Sequence, residues 1–217
     1  MSEIDTAALE AVHGDIQDLA AATSKVEIEL ANKRAELMRP IFEKRRAIIA
    51  KIPKFWSVVC QNHEAMGAML SPDDLPILEH LTDIWVQHDT KDSRNYDITF
   101  TFSENPYFTD KELVKKITIK DDEPVSTSTK IHWKEGKNVT LKRKNDADNE
   151  SFFSFFEDDD ATLADYIAHD MFTEAFAVYV NEESDGEFDD GESVDLDDEE
   201  DEEDEEEEEK PQKKSKK

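Results

Sequence analysis

The chain has 217 residues, of which 55 are acidic and 26 basic, giving a formal net charge of −29; that is room for one ordinary domain with appendages. The charge makes nucleic acid a poor primary partner, because phosphate binding depends on Lys and Arg displacing counterions. No apolar run is long enough to span a membrane, Met1–Asp5 lack a basic and apolar leader, and Cys60 is alone, so no span, secretory signal or intrachain disulfide is expected and a reducing compartment is.

From Ile4 to Lys51 there is no strand signal. Leu9, Ile16, Thr23, Leu30 and Leu37 recur every seven residues, and Val12, Leu19 and Val26 fill a second position of the same heptad until Lys33 interrupts it. This reads as a two-helix seam. Up to Arg39 the helix would run roughly 50 Å, too far for a small domain to cover, so a homodimer through Leu9, Val12, Ile16, Leu19, Val26, Leu30 and Leu37 is expected. Pro40 should kink the rod, since it lacks an amide hydrogen and its ring crowds the preceding turn. Pro53 should end it.

Phe55 to Leu70 reads as one buried helix, followed by a short helix capped by Ser71 with Pro72 at its first position. The period then changes to two. Leu81–His88, Tyr96–Phe102 and Leu113–Lys120 read as strands, with Ile131–Trp133 as a short fourth after a loop around Pro124. Leu163–Val180 returns to helix. The alternation, with one polar face, implies an α+β fold: a four-stranded antiparallel sheet covered by helices on one side.

Glu182 to Glu209 holds 21 acidic residues and no basic one, and Lys210–Lys217 adds five lysines. Such a segment cannot offset its ordering entropy by burial and is expected to be disordered. The organisation expected is therefore a dimerisation helix (1–52), an α+β domain (53–181) and an acidic tail (182–217). Catalysis has little support. With only Gly14, Gly67 and Gly136 before the tail, no phosphate-binding loop can be assembled, and the six histidines show no metal-ligand spacing. No enzyme activity and no cofactor are expected.

Several blocks match a known family. Met38-Arg39-Pro40-Ile41-Phe42-Glu43-Lys44-Arg45-Arg46, then Ile52-Pro53-Lys54-Phe55-Trp56, Asn105-Pro106-Tyr107-Phe108, Ile131-His132-Trp133-Lys134 with Gly136-Lys137, and Ser151-Phe152-Phe153-Ser154-Phe155-Phe156 follow one another in order. Together they resemble the nucleosome assembly protein family, most closely its SET, or template-activating factor I, branch and the smaller fungal relatives. Phe155 stands where the family has Trp, and the stretch from Lys144 to Ser151 is short.

The resemblance implies a histone chaperone: a headphone-shaped homodimer whose two α+β "earmuffs" bind core histones on acidic undersides. It places histone contacts on Glu157, Asp158, Asp159, Asp160, Asp165, Asp170 and Glu174; the plainer reading is a solvated helix entrance, where acidic residues are favoured anyway. Phe152, Phe153, Phe155 and Phe156 read as core. Lys142-Arg143-Lys144 with Lys137 is a basic loop, either solubilising or in touch with DNA or a partner enzyme. Lys210, Lys213, Lys214, Lys216 and Lys217 read as a nuclear import signal, or else as lysines folded back on the tail. The protein is expected in the nucleus, shuttling with the cytoplasm, with a histone acetyltransferase or a protein phosphatase as secondary partner. The alternative is an acidic inhibitory or scaffolding protein acting on such an enzyme.

Overall fold

The computed structural model describes residues 6–141, 151–159 and 161–180, with side chains from residue 12 onward. The acidic tail, the import lysines Lys210, Lys213, Lys214, Lys216 and Lys217, the triplet Lys142–Lys144, Asp160 and the side chain of Leu9 lie outside the described residues.

Helix α1 (Thr6–Ile49) is 44 residues long and continues through Pro40; at 1.5 Å per residue it extends about 66 Å. The described bonds joining it to the domain begin at Asn32, whose amide donates to Lys91 O (2.9 Å) and accepts from Ser93 N–H (2.7 Å) in the loop over residues 89–95. Further along, Arg46 pairs with Asp83 and sits over the Trp85 ring, and Ile49 is buried. Arg45 lies against Phe42 and Phe172 and donates to Thr173 O. Its burial lowers the guanidinium pKa to about 10, opposed by nearby Glu174.

The buried helix expected over 55–70 is two helices, α2 (Phe55–Asn62) and α3 (Glu64–Met69). The break is at His63, whose backbone is extended and whose Nδ1 accepts the Met66 N–H at 3.2 Å, serving as the cap of α3. The corner is tight: a Cβ on Gly67 would stand 2.9 Å from Gln61 O, so a side chain there forces the backbone apart. The short helix α4 (Leu75–Leu78) starts after Asp74, not at Ser71–Pro72 as expected. Asp74 is fully buried and is spent on other bonds: it accepts from Ser71 N–H, Phe152 N–H and Ser151 Oγ. It thereby ties α4 to the aromatic block 77 residues later.

Strands β1 (Leu81–His88), β2 (Tyr96–Phe102), β3 (Glu112–Lys120) and β4 (Glu123–Ser128) form an antiparallel meander in sequence order. The register sets Ile84 opposite Phe100 and Phe100 opposite Leu113, one apolar row on the inner face. The fourth strand is therefore not Ile131–Trp133, which contributes only a bridge between Phe108 and Trp133. It is the segment around Pro124. As the last strand in the sheet order, β4 tolerates a residue that cannot donate a ladder bond. The β3–β4 turn is two residues, Asp121 (φ 51°) and Asp122 (φ 62°), the mirror-image turn whose twist suits a hairpin.

A 3₁₀ helix (Phe152–Phe156) brings four buried phenylalanines onto the sheet, with Phe152 and Phe156 within 5.7 Å of the Phe100 ring centroid. The last helix expected over 163–180 is in three parts: α5 (Thr162–Tyr166), a π turn (Ile167–Met171) and α6 (Ala175–Val180). The bond from Phe172 N–H to Ile167 O marks the π turn, which adds a residue to the helical period. Trp56 and Trp85 pack on Phe172 at its exit.

Candidate functional site

The acidic positions occupy the segment after the aromatic block and the helical run that follows it. Several of them have a support beneath. Glu157 Oε1 is 2.8 Å from the Thr140 hydroxyl, which also lies 2.8 Å from Asn138 Oδ1.

Asp158 is held by Lys115. This lysine lies in β3 on the core side, between Leu113 and Ile117, and its side chain is wholly buried. Its Nζ donates to Phe155 O (2.7 Å), Asp158 O (2.7 Å) and Asp158 Oδ1 (3.3 Å), and stands 4.6 Å from the Phe155 ring centre. An ammonium taken out of water needs such a set of acceptors, or burial would cost several kcal/mol. The acidic segment is thus clamped to the sheet at its base.

Asp159 and Asp165 share one open depression of about 410 Å³, lined also by Pro124, Ala161, Thr162 and Tyr166. Asp165 accepts a 2.5 Å hydrogen bond from the Tyr96 hydroxyl and lies 3.8 Å from His169 Nε2. Burial, then the bond to Asp165, pushes the Tyr96 phenol well above its ordinary range. His169 stacks on His88, whose pKa is lowered by burial first and then by His169 and Arg34, against the raising effect of its bond to Ser93 O.

Asp170 reaches His63 Nε2 at 3.2 Å, at the α2–α3 corner, and Glu174 interacts with Arg45 of α1. The structure therefore brings Asp159 and Asp165 together, while Glu157 faces the 138–140 loop and Asp170 and Glu174 lie further along the helical run. Asp158, Asp165 and Asp170 keep 53 %, 64 % and 60 % of their side chains exposed, although the atoms they bond to are buried. What the arrangement can do is hold cations: carboxylates in defined places, open to solvent.

Of the proposed seam, Val12, Ile16, Leu19, Val26, Leu30 and Leu37 are all between 54 % and 65 % exposed, and Ile41 and Ile48 continue the stripe. Phe152, Phe153, Phe155 and Phe156 are core. Among the described residues no group of His, Cys, Asp and Glu converges to hold a metal ion, and no helix is long and apolar enough to cross a membrane. Cys60 is buried, its thiol pushed up to about 12.

Sequence reasoning did not find Lys115, Tyr96, His63 or Thr140. Only Lys115 left a signal: a lysine in the apolar phase of an alternating strand.

A long N-terminal helix, a four-stranded meander and a helical layer carrying acidic positions define the fold of nucleosome assembly proteins. The crystal structure of Ccp1 matches with a TM-score of 0.69 and 32 % identity, over 80 % of this chain and 96 % of that one. Vps75 shares the fold at a TM-score of 0.64 and 20 % identity, over 80 % of this chain and 98 % of that one. The sequence profile described as Nucleosome assembly protein (NAP) matches residues 50–216. A Schizosaccharomyces pombe protein that carries nucleosome assembly protein in its name is 37 % identical over 211 residues, 85 % of this chain and 86 % of its own length. Protein SET of Drosophila melanogaster is 31 % identical over 176 residues, 74 % of this chain and 65 % of its own length. The chain belongs to the nucleosome assembly protein family and is similar to its SET members.

Proposed function

We propose that this protein is a nuclear histone chaperone. It works as a homodimer, holding core histones on the folded acidic surface formed by Glu157, Asp158, Asp159, Asp165, Asp170 and Glu174, and passing them on during nucleosome assembly. The observation that carries the reading is the placement of these carboxylates: in a chain of this family, they stand open to solvent on the rigid domain, several of them bonded from beneath. Charge on a fixed surface can pair with Lys and Arg at defined positions, whereas a tail supplies local concentration. The acidic excess serves attraction, and its spread over many moderate contacts permits release to a stronger polyanion.

The dimer rests on the exposed stripe. A line of Val, Leu and Ile from Val12 to Ile48, about 54 Å of helix, is a seam awaiting a second copy, and burying it is worth about 1.5–3 kcal/mol per side chain before entropy costs. The protein is no enzyme; an acetyltransferase or phosphatase would be a partner acting on the bound complex. The test is a histone titration of the full chain beside residues 1–181 across a salt series. Exposed charges are screened beyond roughly 8 Å at physiological ionic strength, so the tail's share should fade with salt while the surface's share persists. Loss of all binding on removing the tail, at every salt concentration, would leave an acidic inhibitor as the better reading.

A further inference from the structure

Three carboxylates of the acidic surface are met by donors from the core, two of which, Lys115 and His63, also bond main-chain groups. Tyr96 (3 % exposed) lies on the inner face of β2 and spends its hydroxyl on Asp165; Lys115 (0 %) reaches from the core side of β3 to Asp158; His63 (7 %) meets Asp170. These donors come from three separate elements, β2, β3 and the α2–α3 corner. Phenylalanine would fill the place of Tyr96 without burying a polar group, so packing alone does not call for its hydroxyl. The pairing of a buried donor with a carboxylate more than half exposed recurs three times along 13 residues, from Asp158 to Asp170.

We propose that Tyr96, Lys115 and His63 are positioning residues for histone recognition, and that the surface they set in place reads a folded basic surface, with Lys and Arg at fixed spacing, in preference to an extended basic tail. This rests on the chaperone reading given above. A carboxylate already bonded on one side has fewer rotamers to lose when it meets a cation, so part of the ordering cost of binding is met on folding. That advantage counts only for a partner that is itself rigid. A flexible polycation adapts to wherever the carboxylates are and responds to charge alone.

Tyr96→Phe isolates the effect, because it removes one hydroxyl, leaves every charge in place and keeps the ring in the core. Thr140→Val does the same to Glu157 from another part of the fold and serves should Tyr96→Phe fail to fold. The full-length variants are titrated with the folded histone octamer components and with poly-lysine, in the same buffer and salt. Freeing one side chain from its tether should weaken histone binding about two- to tenfold and leave poly-lysine affinity unchanged. Equal losses for both ligands, or none for histones, would overturn the proposal. Asp165→Asn run in parallel separates the two levels. If it weakens histone binding while Tyr96→Phe does not, the surface stands and the positioning role falls. If it has no effect, Asp165 does not bind histones and both fall.

Discussion

Replacing Lys115 with Met is the sharpest perturbation of the acidic segment that alters no exposed residue. Methionine matches the stem of lysine in length and adapts to irregular space, so little cavity is left. What is lost is the ammonium, which donates to two main-chain carbonyls, Phe155 O and Asp158 O, and to the Asp158 carboxylate. Phe155 is 2 % exposed, so its carbonyl has no ready access to water. A buried acceptor stripped of its donor costs about 1–3 kcal/mol, and the partly buried second carbonyl less. Against this, the desolvation of a buried ammonium disappears. The net expectation, smaller than the sum of the two carbonyl losses, is a destabilisation of about 1–2 kcal/mol. Asp158→Asn, by contrast, touches a group 53 % exposed and should cost under about 1 kcal/mol. Urea unfolding followed by tryptophan fluorescence measures both, at one fixed protein concentration because a dimer's midpoint depends on it. A Lys115→Met variant within about 0.5 kcal/mol of the parent would refute the view that this lysine clamps the segment.

Three further outcomes are expected. Changing Leu19, Val26 and Leu30 to Asp should yield monomeric or unfolded protein by light scattering, since a dimer seam cannot bury unpaired charge; a dimer of unchanged stability would remove the seam. With the Cys60 thiol pushed up to about 12, native protein at pH 8 should resist an aromatic disulfide reagent and release one equivalent only on unfolding. His88 has a folded pKa below its ordinary 6.5, so the unfolded chain binds more protons between the two values. Stability should therefore be complete above about pH 6.5 and decline as pH falls through that window, with a shallower decline in His88→Asn.

The strands with strict alternation were legible to the residue: β1 and β2 have the bounds that the period predicts, and β3 begins one residue earlier, at Glu112. Strand β4 was hidden because it sits at the sheet edge with Val125 as its only apolar side chain besides Pro124, and because proline usually argues against a strand. The turn before it offered a clue in Asp121-Asp122, a pair tolerant of positive φ. The break at His63 carried no Gly or Pro to announce it. A histidine capping through Nδ1 is decided by tertiary contact, here with Asp170 more than a hundred residues away. The candidate site shows the same division. Sequence located the carboxylates, because charge is visible in one dimension. The donors beneath them come from β2, β3 and the α2–α3 corner, and only folding brings those elements under the last helix.

The central claim, that histones are read by a shaped acidic surface and not by net charge, is tested most directly by comparing two quadruple variants of the full chain. In one, Asp159, Asp165, Asp170 and Glu174 become the corresponding amides; in the other, four tail residues, Glu205 to Glu208, become glutamine. Each removes four negative charges from the same total of 29 in excess. Titrated with core histones in one buffer at one salt concentration, the surface variant should lose clearly more affinity, because charge fixed on the domain meets Lys and Arg at defined positions. Equal losses would contradict the account, leaving the domain a solvated acidic face and the net charge the whole of the attraction.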